Sequence, residues 1–136
     1  MKCRAILIAV TFLVLAQTAP LTAMPRSVED RLQLFATCAG RFSALAEAGR
    51  LFDGTASEHA IAISQGFAML VDATLPYGRP MGIEGRDVLG WRVSAKMAQI
   101  TLLQTARLHS EADRRDRARR LARQHLRTCE IVILGT

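Results

Sequence analysis

A chain of 136 residues, half of them hydrophobic and 22% charged, has room for one domain with a modest core. Its formal net charge of +6 is basic, yet too small to mark a nucleic-acid binder by charge alone. No internal repeat or low-complexity tract stands out, which excludes repeat and fibrous architectures.

The start reads as a leader, not as part of the domain. Met1-Lys2-Cys3-Arg4 is followed by an apolar run from Ala5 to Ala16, broken only by Thr11, and then by Gln-Thr-Ala-Pro-Leu-Thr-Ala. A positive end, an apolar middle and small residues at the cut are the layout of a secretory signal peptide. Cleavage after Ala23 is expected, since a cut after Ala19 would leave Pro20 at the new terminus. The run is shorter than the ~20 apolar residues that span a bilayer; a retained anchor is the alternative. Cys3 comes too early to be a lipoprotein cysteine. The expectation is therefore a signal peptide over 1–23, a single helical domain over 24–136, and a periplasmic or secreted address.

Removing Lys2 and Arg4 leaves a charge of +4 and two cysteines, Cys38 and Cys129. In an oxidising compartment two lone cysteines on apolar helix stripes make one disulfide. No Cys-x-x-Cys spacing occurs to favour a metal or redox site.

Four helices follow in order. Ser27-Val28-Glu29-Asp30 is a capping box opening the first. Val28, Leu32, Phe35, Cys38, Phe42, Leu45 and Phe52 recur at three- and four-residue steps and predict one buried stripe, with the helix ending at Asp53-Gly54. Gly40 interrupts that stripe at about 1 kcal/mol against alanine, which predicts a close helix–helix approach beside the disulfide. Thr55 to Glu58 is a second capping box, and its helix runs to about Leu75 with Ala60, Ile63, Phe67 and Val71 inward. Pro76 to Gly82, with two prolines and two glycines, breaks the chain. A third helix begins between Ile83 and Val88 and ends near His109; Val88, Trp91, Ala95, Ala98, Leu102 and Ala106 share its inner face, widened by Leu89, Ile100 and Leu103. Ser110 caps a fourth, whose stripe is Ala118, Ala122, Leu126, Cys129 and Val132. Short connections between four helices make an antiparallel up-down bundle the expected fold, all-α and stapled from helix 1 to helix 4.

The loudest chemical signal is the arginine content of the last helix. Residues 110–127 hold seven arginines against three acids, while the rest of the mature chain is balanced. Arg115, Arg119, Arg123 and Arg127, spaced by four, form a candidate anion-binding stripe for nucleic acid, phosphate or anionic lipid. The same segment also suits a solvated face laced by Glu111–Arg115, Asp113–Arg117 and Asp116–Arg120 pairs. That plainer reading is preferred, because each acid of the segment is placed to pair with an arginine; no aromatic side chains interleave to support base stacking. The three histidines, His59, His109 and His125, lack metal-ligand spacing. Ser43 and Ser64 have no local His/Asp pattern, Gly82-Ile-Glu-Gly85 lacks the Lys-Ser/Thr of a phosphate loop, and the methionines are dispersed as core residues.

Cys38-Ala-Gly-Arg-Phe-Ser-Ala44 and Gly85-Arg-Asp-Val-Leu-Gly-Trp-Arg-Val-Ser-Ala-Lys96 give the chain a further bearing. It resembles small exported helical proteins of alpha-proteobacteria, which share a signal peptide, an early Cys-Ala-Gly-Arg helix and a late cysteine. The resemblance spans helices 1, 3 and 4 and implies a periplasmic address with no catalytic residues. The expectation is a structural or interaction module with a protein partner, without cofactor, metal or catalytic residues. The alternative is a polyanion binder acting through the last helix. A cryptic enzyme or metal carrier is the reading with least support.

Overall fold

The computed structural model describes residues 25–134. They form α1 (Val28–Gly49), α2 (Gly54–Gly78), a 3₁₀ turn (Arg79–Met81), α3 (Gly85–Leu108) and α4 (Ala112–Leu134). Among the described residues there is no strand. The predicted signal peptide, residues 1–23, lies outside them.

The centre of the fold is α1. Between Leu32 and Ala46 its only charged residue is Arg41, so this helix can be covered on most of its sides. Both α2 and α3 pack along it while scarcely touching each other; α4 lies mainly on α3 and meets α1 in one place. That place is the Cys38–Cys129 disulfide, with Cα atoms 5.5 Å apart and both residues fully buried. Leu32, Phe35 and Phe42 of α1 meet Phe67 and Val71 of α2 in the core. The Phe67 ring sits 6.4 Å from Phe35 and 6.3 Å from Phe42, a separation at which offset aromatic contacts add to burial.

Small residues decide how closely the helices approach. A methyl group on Gly40 would overlap the carbonyl oxygen of Arg92 and lie 3.0 Å from the Lys96 nitrogen. The glycine predicted to mark a close approach therefore does so, against the backbone of α3. On the opposite flank two buried hydroxyls of α2 bond to carbonyls of α1: Ser57 Oγ to Ala46 at 2.7 Å and Ser64 Oγ to Ala39 at 2.8 Å. These bonds satisfy hydroxyls that would otherwise be costly to bury. Lys96 of α3 pairs with Glu47 of α1 at the edge of the same contact.

Several boundaries differ from the sequence reading. α1 stops at Gly49, where the N–H groups of Phe52 and Asp53 turn back to the Gly49 carbonyl. Phe52 thus leaves the helical stripe on which it was expected and stands 70% exposed. The cap of α2 is Asp53, whose Oδ1 accepts from Ala56 N at 3.0 Å, and not Thr55. Pro76 does not end α2, because losing one N–H near the terminus removes a single bond; the helix runs on to Gly78. The chain turns at Gly82, in the left-handed region at φ 83°. Glu84 caps α3 reciprocally with Asp87.

Candidate binding surfaces

The α4 arginines separate into two groups. Arg115 Nη1 donates to the carbonyls of His109 and Ser110, both at 2.8 Å, and Arg119 Nη2 donates to the Ala106 carbonyl at 3.4 Å. These acceptors lie in and just beyond the last turn of α3, where helical carbonyls lack intrahelical partners and the dipole favours a cation. Arg115 and Arg119 are thus turned to α3. Arg123 and Arg127, the other half of the predicted stripe, are exposed. With Arg120 they recur at i, i+3 and i+7, one outward face of the helix. The acid pairs also differ from expectation: Glu111 binds Arg114 at 3.0 Å and Asp116 binds Arg119 at 2.8 Å, each three residues apart. Arg115 reaches instead for carbonyls, which removes it from the expected pair with Glu111.

A second surface was not read from the sequence. The C-terminal halves of α1 and α3 diverge around an open groove of about 540 Å³. Leu45, Ile100 and Leu103 form its apolar walls; Leu51, Phe52 and Leu108 stand at its mouth, 85%, 70% and 75% exposed. The polar side chains of the lining are Glu47, Gln104 and Arg107. Arg107 holds its guanidinium 4.2 Å above the Phe52 ring, a cation–π arrangement. The signal for this groove was present in the widening of the α3 face by Ile100 and Leu103. It was hidden because Phe52 was counted as core.

Where α1 meets α4, Arg41 Nη1 donates to the His125 carbonyl at 3.3 Å and lies 3.9 Å from Cys129 Sγ. Burial lowers the pKa of Arg41. Burial, and then the Arg41 charge, lowers that of His125. Met81 and Gly82, at the turn before α3, border a separate open cleft with Trp91. His59 is exposed on α2, and His109 Nδ1 accepts from the Glu111 N–H. No three potential metal ligands converge among the described residues.

Gln99 is a buried polar residue that the helical stripe of α3 passed over. It is fully buried, donates from Nε2 to the Ala122 carbonyl at 3.2 Å, and leaves Oε1 without a partner. Its spacing, four after Ala95 and three before Leu102, already placed it on the inner face of α3. Ala98, assigned there instead, is exposed.

No family model matches this chain. No curated protein and no solved structure matches it either.

Proposed function

We propose that this chain is a small exported binding module, an antiparallel four-helix bundle whose working surface is the groove between α1 and α3. The observation that carries the reading is the groove itself. Its volume falls within the ~300–1,000 Å³ typical of ligand sites, and apolar walls with a few polar side chains are their usual lining. Leu51, Phe52 and Leu108 leave an apolar mouth rimmed by charged groups, which marks an interaction site and not a surface designed only for solubility. The bundle reading is supported by partner pairs that run oppositely in number: Ala39–Ser64 with Ala46–Ser57, and Cys38–Cys129 with Arg41–His125. A buried disulfide suits the oxidising compartment to which the leader at 1–23 would send the chain. A periplasmic protein partner is the other occupant such a module could serve.

The test uses a neutral apolar fluorophore, N-phenylnaphthylamine, with the oxidised protein. The expected result is enhanced fluorescence that Leu103→Gln and Phe52→Ser both reduce. Enhancement equal in wild type and both variants would refute the groove as the working surface. Export is checked separately by N-terminal sequencing, which should begin at Met24.

A second reading rests on Arg117, Arg120, Arg123 and Arg127. All four are exposed, with no carboxylate within 4.0 Å among the described residues. Such a face would bind polyanions with a steep salt dependence, which Arg120→Gln/Arg123→Gln/Arg127→Gln would flatten. Heparin retention unchanged in that triple variant would reduce the face to a solvated surface.

A further inference from the structure

We propose that the α1/α3 groove takes a single-chain amphiphile with an anionic head, held by Arg107. This rests on the groove being the working surface and specifies what occupies it.

Charge complementarity selects the head group. Of the charges at the groove, Glu47 is neutralised by Lys96. Arg107 has no carboxylate within 4.0 Å among the described residues and is engaged only with the Phe52 ring. The site therefore carries one uncompensated positive charge, at its α3 C-terminal end. A helix C-terminus would ordinarily repel an anion there. In this chain Arg115 and Arg119 already donate to the carbonyls of Ala106, His109 and Ser110, so the repulsive end is covered. Asp53, next to Phe52 in sequence, caps α2 at Ala56 N and does not line the groove.

The walls select the tail. From Ile100 to Leu108 the helix rises about 12 Å, a length matched by an extended alkyl chain of roughly ten carbons. Such a chain would run from Arg107 past Leu103 toward Ile100 and Leu45. The groove is lined by twelve residues, whereas a stable protein interface engages ~20–30 on each side. Its size thus favours a small amphiphile over a protein partner. Dispersion and apolar burial along the tail supply the affinity, and Arg107 sets the polarity of binding.

The experiment titrates full-length oxidised protein with dodecanoate at pH 8, dodecyltrimethylammonium and dodecyl maltoside, each below its micelle concentration. Calorimetry gives affinity, and the methyl resonances of Ile100 and Leu103 give location. Dodecanoate should bind more tightly than the maltoside, and the ammonium most weakly. Since a head-group contact at an exposed arginine resembles a surface ion pair, Arg107→Gln should weaken dodecanoate about three- to fivefold. The same variant should leave the maltoside unchanged, and Arg107→Lys should restore most of the loss. Equal binding of all three amphiphiles, indifferent to Arg107→Gln, would overturn the anionic assignment while leaving the groove reading intact. Dodecanoate binding lost in the Arg120/Arg123/Arg127 triple variant, and kept in Arg107→Gln, would move the head group to α4 and overturn it too. Methyl resonances unmoved by any of the three would remove both readings.

Discussion

Alanine at position 40 puts two effects of opposite sign in competition. Helix propensity alone favours Gly40→Ala by about 1 kcal/mol, because glycine in a helix interior forfeits that much. The packing opposes it: the new methyl would overlap the Arg92 carbonyl oxygen and lie 3.0 and 3.1 Å from the Lys96 nitrogen and the Arg92 carbonyl carbon. All three are backbone atoms of α3, so relief requires moving a whole helix and not rotating a side chain. Overpacking of this kind costs about 1–3 kcal/mol, and backbone obstruction places it at the upper end. We predict a net loss of about 2 kcal/mol. For a domain of this size that is a fall of roughly 6–10 °C in Tm. Gly66→Ala and Gly90→Ala are internal controls, since a methyl at either meets nothing within 4 Å. Both should raise Tm by up to about 4 °C. Thermal unfolding of the oxidised proteins, followed by circular dichroism, compares the three. If Gly40→Ala melts at or above wild type, the close approach of α1 and α3 is wrong.

Three further predictions follow from the same contacts. Cys129→Ser removes a crosslink across a sequence separation of 91; the chain-entropy model puts the loss at about 4–5 kcal/mol, and a Tm within 3 °C of wild type would contradict it. His125 has a folded pKa below its unfolded value of about 6.5, so its contribution to stability is present above pH ~6.5 and lost as pH falls toward the folded value. NMR titration of the ring should show the depressed pKa, with Arg41→Met raising it partway back; an unshifted titration would exclude the Arg41 influence. Arg115→Gln and Arg119→Gln should each lower the urea midpoint by the equivalent of about 0.5–1.5 kcal/mol through lost hydrogen bonds, whereas Arg123→Gln should stay within about 0.5; equal losses at all three would dissolve the division of α4 into capping and outward arginines.

Period and punctuation carried most of the fold into the sequence. The stripes of Leu32, Phe35 and Phe42 and of Ala60, Phe67 and Val71 are buried as spaced. The Ser27 cap accepts from the Asp30 N–H through its Oγ, and the disulfide joins the two cysteines that lone pairing required. What periodicity could not convey was which helix would sit in the middle. A stripe predicts that a face is covered, not how many neighbours cover it, so the layout of α2 and α3 on either side of α1 was invisible. The groove was missed for a local reason: whether α1 ended at Gly49 or at Asp53 decided if Phe52 was core or surface. Arginine roles were equally illegible, because i,i+4 spacing names possible acid partners along one helix and says nothing of carbonyls on the next. Gln99 was overlooked because polar residues are expected outside, although its position on the α3 face was available.

Placing α1 between two helices that barely meet has a consequence for how the molecule opens. α2 and α3 share little surface through which to stabilise one another, so most energetic communication between them passes through α1. The two sides are also fastened differently. α3 and α4 form a layer tied to α1 by the Cys38–Cys129 crosslink, while α2 is held by apolar contacts and two serine hydroxyls. Partial unfolding should therefore be layered: α2 can detach as a unit while the crosslinked remainder stays assembled, and amides in its middle turns should exchange at a lower free energy than those of α1.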